Sequence, residues 1–133
     1  MGLILDSSLL IADEREDSDL PAWLCLRPPV PVAVSAITFS ELWFGIDADE
    51  NAPRTRRRRR WLENTFRRLM TVPLDIRVAR IHSRAWAQLS KARQMIGPHD
   101  LIVAATALHR RRAVATFNAR EFRYVAGLEV IEP

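Results

Sequence analysis

The sequence predicts an α/β fold: a three-layer α/β/α sandwich around a central, mostly parallel sheet. Short apolar runs alternate along the chain with longer segments of helical periodicity, and that alternation requires crossover connections between parallel strands. One helix face is marked by apolar residues at steps of three and four. These residues are Val78, Ile81, Ala85, Leu89, Ala92 and Ile96. The segment after Pro98 is apolar nearly all round, which is typical of a buried helix.

Five strands and seven helical segments follow from the apolar runs and the turn residues between them. The predicted strands are residues 3–6, 32–36, 114–116 and 128–131, and residues 72–74 are expected to form a short strand or an extended connector. The predicted helices are residues 7–14, 20–26, 38–46, 54–70, 76–96 and 98–110, followed by a helical turn at 119–122.

Polar residues and helix breakers set the predicted helix ends. Ser7 and Asp75 are placed to cap the helices that follow them. The segment Thr38-Phe-Ser-Glu41 has the spacing of a capping box, which places Glu41 in a first helical turn. Gly97 is expected to end the long periodic helix.

Length and composition favour one domain over residues 1–133. The chain has 133 residues, of which 48% are hydrophobic and 27% charged, as in a soluble protein with one core. The single Cys25 excludes an internal disulfide. The longest stretch without charge, residues 28–40, is too short to span a bilayer, and Asp6 interrupts the first apolar run, which disfavours a signal peptide. We therefore expect a soluble, cytoplasmic protein.

The charges are distributed unevenly. Residues 1–50 carry ten acidic and two basic residues, whereas residues 51–133 carry six acidic and eighteen basic ones, including five consecutive arginines at Arg56–Arg60. Arginine suits phosphate recognition, so a polyanionic partner fits this pattern. A general preference for arginine over lysine explains the abundance of arginine equally well. The five consecutive arginines cannot form one flat contact face, because consecutive residues point in different directions around a helix.

Acidic and amide side chains stand where predicted strands end and helices begin. Asp6 ends the first strand, Glu41 follows the second strand, and Asp100 lies in the first turn of the buried helix. Asn118 directly follows the strand at 114–116, and Glu121 comes one turn later. In an open parallel sheet these positions meet beyond the carboxyl ends of the strands, where ligands bind.

Carboxylates brought together in this way repel one another, and a hard divalent cation with oxygen ligands offsets the repulsion. Magnesium held by a few carboxylates polarises a phosphate and activates water for attack. Surrounding arginines would hold the rest of a nucleic-acid backbone. The spacing therefore favours a metal-dependent phosphodiesterase.

Each of these side chains also has a purely structural interpretation. Glu41 would complete the capping box, Asp100 would favour the dipole at a helix start, and Asn118 is a common turn residue. Asp6 is the hardest to explain structurally, because it follows Leu-Ile-Leu at the end of a buried strand. The set, more than any single member, indicates a site.

Four segments carry these residues in order along the chain. They are Leu3-Ile-Leu-Asp6-Ser-Ser, Ser35-Ala-Ile-Thr-Phe-Ser-Glu41-Leu, Gly97-Pro-His-Asp100-Leu-Ile-Val-Ala-Ala-Thr-Ala and Ala115-Thr-Phe-Asn118-Ala-Arg-Glu121-Phe. In order and spacing they resemble the four acidic motifs of PIN-domain ribonucleases, most of all the VapC-type toxins of bacterial toxin–antitoxin pairs. The resemblance covers essentially the whole chain.

The resemblance implies an α/β/α sandwich with Mg²⁺ or Mn²⁺ at its acidic edge, and endoribonuclease cleavage of RNA by water attacking phosphorus in line. Asp6, Glu41 and Asp100 match the acids of the family and are expected as metal ligands. Glu121 matches the second acid of the last motif and is expected to ligate directly or through water.

Two further residues take roles from the same resemblance. Asn118 stands where many members have Asp, and it is expected to position a water or a phosphate. Thr116 matches a hydroxyl of the family that hydrogen-bonds a carboxylate or a water. Whether Asn118 or Glu121 fills the fourth position of the site, and whether one or two metal ions bind, stay open. His99 is expected at the surface.

The resemblance also implies partners: a cognate antitoxin, a second copy of the chain in a homodimer, and an RNA substrate, with no membrane. In the family, the region that holds Trp23, Cys25, Trp43 and Phe44 here forms part of the groove for the antitoxin. Two other functions are compatible with the sequence. One is a non-catalytic basic nucleic-acid-binding module whose acids are helix caps, and the other is a PIN-like nuclease outside a toxin–antitoxin pair.

Overall fold

The computed structural model describes residues 2–133, with five strands and seven helices in that range. The strands are Leu3–Leu5 (β1), Val32–Ser35 (β2), Met70–Val72 (β3), Ala113–Ala115 (β4) and Val130–Ile131 (β5). The helices are Ser7–Glu14 (α1), Leu20–Cys25 (α2), Ala36–Asp47 (α3), Ala52–Arg68 (α4), Ile76–Lys91 (α5), Pro98–Arg110 (α6) and Ala119–Phe122 (α7). Along residues 2–133, no helix combines the length and the apolar character that crossing a membrane requires.

The five strands form one parallel sheet in the order β3-β2-β1-β4-β5. The chain builds outwards from β1 to β3 on one side and from β4 to β5 on the other, so the order reverses between β1 and β4. Leu5 of β1 pairs with Ala115 of β4. Residues that directly follow these two strands therefore lie side by side at the switch point, which is the usual ligand position in open α/β sheets.

Helices cover both faces of the sheet. Because side chains alternate along a strand, Leu3 and Leu5 face one layer while Ile4 faces the other. The layer beneath Leu3 and Leu5 contains α1, α2, α3 and α4, and the layer beneath Ile4 contains α5, α6 and α7. This arrangement confirms the predicted three-layer α/β/α sandwich with a parallel sheet.

The predicted capping box at Thr38 is wrong. The helix begins at Ala36, directly after β2, because the hydroxyl of Ser35 caps it by accepting a hydrogen bond from the Ile37 N–H at 3.3 Å. Thr38 is buried inside the first turn, and Glu41 lies in the second turn, too far along to serve as a cap. The capping explanation for Glu41 is thereby removed.

Other boundaries moved for similar local reasons. Helix α5 ends at Lys91, five residues before the predicted end, because Arg93 adopts a left-handed conformation (φ 56°). The N–H of Gln94 then donates to the carbonyl of Leu89, and the N–H of Arg93 donates to the carbonyl of Ser90. These two bonds end the helix in a Schellman motif.

Three other boundaries also differ from the prediction. Helix α1 has Asp6, not Ser7, at its cap position. β3 lies two residues earlier than predicted, and β5 is two residues shorter.

Candidate active site

Asp6 and Thr116 follow the paired strands β1 and β4, and their side chains meet. The Thr116 hydroxyl donates to Asp6 Oδ2 at 2.8 Å, and the Ser8 hydroxyl donates to the same oxygen at 2.7 Å. The Asp6 side chain is buried, yet Oδ1 has no hydrogen-bond partner among the residues that the structure describes. One oxygen of this carboxylate is therefore held by the protein, and the other is buried without a partner in the described chain.

Glu41 reaches the same edge of the sheet from α3. Its Oε2 lies 3.7 Å from Nδ1 of His99, whereas its buried Oε1 has no partner within residues 2–133. Burial raises the pKa of Glu41; His99 lowers it and the charge of Asp6 raises it. Glu41 thus carries a second carboxylate oxygen without a partner, within electrostatic range of Asp6.

Asp100 lies in the first turn of α6, where the negative charges of the other three candidate acids act on it. Burial, followed by the negative charges of Asp6, Glu41 and Glu121, raises the pKa of Asp100 to about 6 from an ordinary 3.8. Like charges disfavour ionisation only when they are close. Four acids that span more than a hundred positions of the sequence therefore share one electrostatic environment.

Glu121, on α7, is held near Asp100 by a backbone hydrogen bond. Its Oε2 accepts a hydrogen bond from the Gly97 N–H at 3.3 Å. Gly97 lies against the Asp100 carboxylate, because a Cβ added there would sit 3.5 Å from Asp100 Oδ2. The N–H of Gly97 compensates part of the negative charge of Glu121 at a point in contact with Asp100.

The sequence analysis did not predict a role for one residue of the candidate site, Ser8. Its hydroxyl holds Asp6 and also accepts the backbone N–H of Phe117 at 3.1 Å, so it joins the turn after β1 to the turn after β4. Its position two residues after an acid at a strand end is the only signal available in the sequence. Asn118 is exposed at the rim, and its side chain does not cap α7.

Comparison with known proteins identifies the family. Residues 3–128 match the PIN domain. The chain belongs to the PIN-domain family. It is 30% identical over 131 residues to a protein of Rickettsia felis named Ribonuclease VapC1, a match that covers 98% of this chain and 96% of that protein.

Solved structures share the PIN fold. VapBC2 from Rickettsia felis, bound to a DNA fragment from its promoter, superposes with a TM-score of 0.89 at 18% identity and covers 100% of this chain and 99% of that one. VapBC-5 from Mycobacterium tuberculosis, a member of the VapBC family of toxin-antitoxin systems, superposes with a TM-score of 0.78 at 26% identity and covers 99% and 98%.

The acidic edge of this PIN domain offers the chemistry that a hard divalent cation prefers. Asp6 Oδ1 and Glu41 Oε1 are buried carboxylate oxygens without partners in the described chain, and burial together with the neighbouring acids disfavours the charged form of Asp100. Within residues 2–133, no three His, Cys, Asp or Glu side chains stand close enough to enclose an ion as they are placed. The donor set therefore fits a cation in chemistry and in location, without forming a closed cage.

The five consecutive arginines on α4, Arg56–Arg60, differ in their exposure and in their contacts. Arg58 is half-buried: its Nε donates to Glu14 Oε1 at 2.7 Å and its Nη1 donates to the Gly45 carbonyl at 2.8 Å. The Arg59 guanidinium lies over the Trp43 ring, 5.5 Å from its centroid. Arg56, Arg57, Arg59 and Arg60 are all exposed.

Arg58→Ala is expected to destabilise the fold. The substitution leaves the Glu14 carboxylate and the Gly45 carbonyl without their charged donor at the junction of α1, α3 and α4. The cost should be about 2 kcal/mol in the free energy of unfolding, measured by urea denaturation. The neighbouring Arg57→Ala, at an exposed position, should change stability by less than about 0.5 kcal/mol. Equal effects of the two substitutions would contradict a structural role for Arg58.

Proposed function

We propose that this PIN-domain protein is an endoribonuclease of the VapC type, which hydrolyses RNA phosphodiester bonds and is inhibited by a cognate antitoxin. The observation that carries the proposal is the gathering of Asp6, Glu41, Asp100 and Glu121 at one edge of the sheet, where burial and the charges of the other three acids raise the pKa of Asp100. A relative named as a ribonuclease, aligned over nearly the whole chain, supports the same activity.

The proposal includes Mg²⁺, or Mn²⁺, at the acidic edge. Asp6 through Oδ1, Glu41 through Oε1 and Asp100 would hold the ion, with Glu121 as a ligand directly or through water. A bound divalent ion supplies the positive charge that neutralises these carboxylates and polarises a phosphate. The repulsion between the carboxylates, which is unfavourable in the metal-free protein, would be relieved when the ion binds and would thereby favour its binding.

Other residues orient these groups. Thr116 and Ser8 fix one oxygen of Asp6, so that the carboxylate cannot rotate away from the site. Gly97 holds Glu121 through its backbone N–H. Asn118, exposed at the rim with its amide free of any capping role, is proposed to position a water or a phosphate oxygen.

The proposed partners are RNA, a cognate antitoxin and a second copy of the chain, and the proposed location is the cytoplasm. VapBC-5, similar over nearly the whole chain, is a toxin–antitoxin member. Exposed apolar and sulfur-containing side chains on α2 and α3 support an antitoxin groove there: Cys25 and Phe44 are exposed, and Arg27 covers the Trp23 ring at 4.9 Å.

Cleavage of RNA in the presence and absence of divalent ions tests the proposal. The purified protein should degrade single-stranded RNA in Mg²⁺ or Mn²⁺, lose the activity in EDTA, and regain it when Mg²⁺ is added in excess. The result expected of a non-catalytic binding module is different. It would bind RNA without cleavage in any ion, and it would lose binding when Arg56, Arg57 and Arg60 are replaced together by alanine. That change leaves the half-buried Arg58 and the contact between Arg59 and Trp43 in place.

A further inference from the structure

An open depression of about 520 Å³ begins at the acidic edge and extends along the turn after β4. Asp100 and Glu121 line one part of it, and Phe117, Arg120 and Arg123 line another. Phe117 is 40% exposed, a high value for a phenylalanine. An aromatic side chain and two arginines thus share one concave surface with two of the proposed metal ligands.

The position of Phe117 is tied to that of Asp6. The Phe117 N–H donates to Ser8 Oγ at 3.1 Å, and the next N–H, that of Asn118, donates to Thr116 Oγ1 at 2.9 Å. The same two hydroxyls hold Asp6 Oδ2. The backbone that carries the Phe117 ring is therefore fixed relative to the carboxylate on which cleavage depends.

Packing does not account for the Phe117 ring. Within residues 2–133 it belongs to neither core cluster and stacks on no other aromatic ring. Arg120 is exposed and forms no ion pair in the described chain, whereas Arg123 pairs with Glu132 at 3.2 Å. A flat apolar face beside an unpaired guanidinium matches an unstacked nucleotide base with its phosphate.

We propose that Phe117 is the stacking platform for one unpaired base of the RNA next to the scissile phosphate, and that Arg120 contacts a backbone phosphate beside it. This inference rests on the proposed ribonuclease function. Stacking on an aromatic ring requires a base that is free of a duplex, so the platform selects an unpaired nucleotide at the cleavage point. Any base has a π face, so the platform selects strandedness more strongly than sequence.

Substitutions at Phe117 separate stacking from general apolar contact. Phe117→Leu keeps an apolar side chain and removes the ring, and Phe117→Trp keeps an aromatic face. With a short single-stranded oligoribonucleotide of mixed sequence, Phe117→Leu should raise KM about tenfold with little change in kcat, while Phe117→Trp should stay near wild type. Trp86→Leu is the control, because it removes an exposed aromatic ring from α5 that does not line the depression. Melting temperatures confirm that each variant is folded.

Binding without cleavage distinguishes this inference from the ribonuclease proposal. Fluorescence anisotropy of the labelled oligoribonucleotide in EDTA, with Asp100→Asn as the parent protein, needs neither activity nor metal. Adding Phe117→Leu should weaken binding about tenfold relative to adding Trp86→Leu, for the single strand and not for a duplex of the same sequence. Such a loss, found together with a wild-type protein that cleaves RNA in neither Mg²⁺ nor Mn²⁺, would overturn the ribonuclease proposal alone. Equal binding with both substitutions, an equal loss on the duplex, or no RNA binding by the parent would overturn the stacking platform.

Discussion

Asp100→Asn is expected to abolish RNA cleavage and, at the same time, to stabilise the metal-free protein. The amide has nearly the shape of the carboxylate but no charge. It therefore removes one proposed ligand, the cost of burying the charge, and the repulsion from Asp6, Glu41 and Glu121. Cleavage in Mg²⁺ should fall by at least about 100-fold. The free energy of unfolding in EDTA at neutral pH should rise by something on the order of 1 kcal/mol, a modest gain because water screens a partly exposed side chain.

The stability gain of Asp100→Asn should depend on pH in a defined direction. The pKa of Asp100 is about 6 in the folded protein and 3.8 in its ordinary state, so between these values the folded chain binds more protons than the unfolded chain. The contribution of Asp100 to the free energy of unfolding is therefore lost as the pH rises from about 4 to above 6. Wild type and variant should be alike below about pH 4 and differ fully above about pH 7.

Urea denaturation in EDTA across this pH range measures the difference. Asp17→Asn is the control, because Asp17 is an exposed acid in the turn after α1, and it should show neither the loss of cleavage nor this pH-dependent gain. An Asp100→Asn protein that is less stable than wild type at neutral pH, with cleavage intact, would contradict crowding at the acidic edge.

Asp6→Asn is expected to lose cleavage while the fold remains intact. The oxygen of the amide can accept the hydroxyl hydrogen bonds of Ser8 and Thr116, so the contacts to Oδ2 survive. The amide nitrogen then replaces Oδ1, the oxygen without a partner, and an amide N–H₂ is not a metal ligand. Cleavage in Mg²⁺ should fall by at least about 100-fold.

Circular dichroism and steady-state cleavage assays check the two halves of the Asp6→Asn prediction. The thermal transition should remain cooperative and near that of wild type. Cleavage by Asp6→Asn at the rate of Asp17→Asn would show that the acidic edge is not where RNA is hydrolysed.

The fold followed from the sequence because its signals are local, and the common position of the candidate acids followed from the fold. Apolar runs and helix periodicity predicted the parallel sheet and its covering helices, and parallel strands bring their carboxyl ends to one edge whatever the sequence distance between them. Asp6, Asp100 and Glu121 therefore could be placed together without coordinates. Glu41 was placed at the correct edge for a partly wrong reason, since it lies in the second turn of α3 and not in a capping box.

The remaining features depend on which of several local options tertiary contacts favour. Ser35 and Thr38 are both plausible caps, and only the direct continuation of β2 into α3 selects Ser35. The periodic pattern continues to Ile96, but a left-handed Arg93 ends the helix at Lys91 while Ile96 still packs on the core. The role of Ser8 depends on a backbone N–H contributed by Phe117, more than a hundred residues away, and no sequence pattern encodes that contact.

Calorimetric titration of the metal-free protein with Mn²⁺ measures whether the crowded acids form a cation site. At pH 6, near the pKa of Asp100, ion binding should be saturable and should release protons, visible as different heats in buffers of different ionisation enthalpy. Asp6→Asn should bind far more weakly. Wild-type protein that shows no saturable heat with Mn²⁺, or binds the ion as well as Asp6→Asn does, would contradict the account.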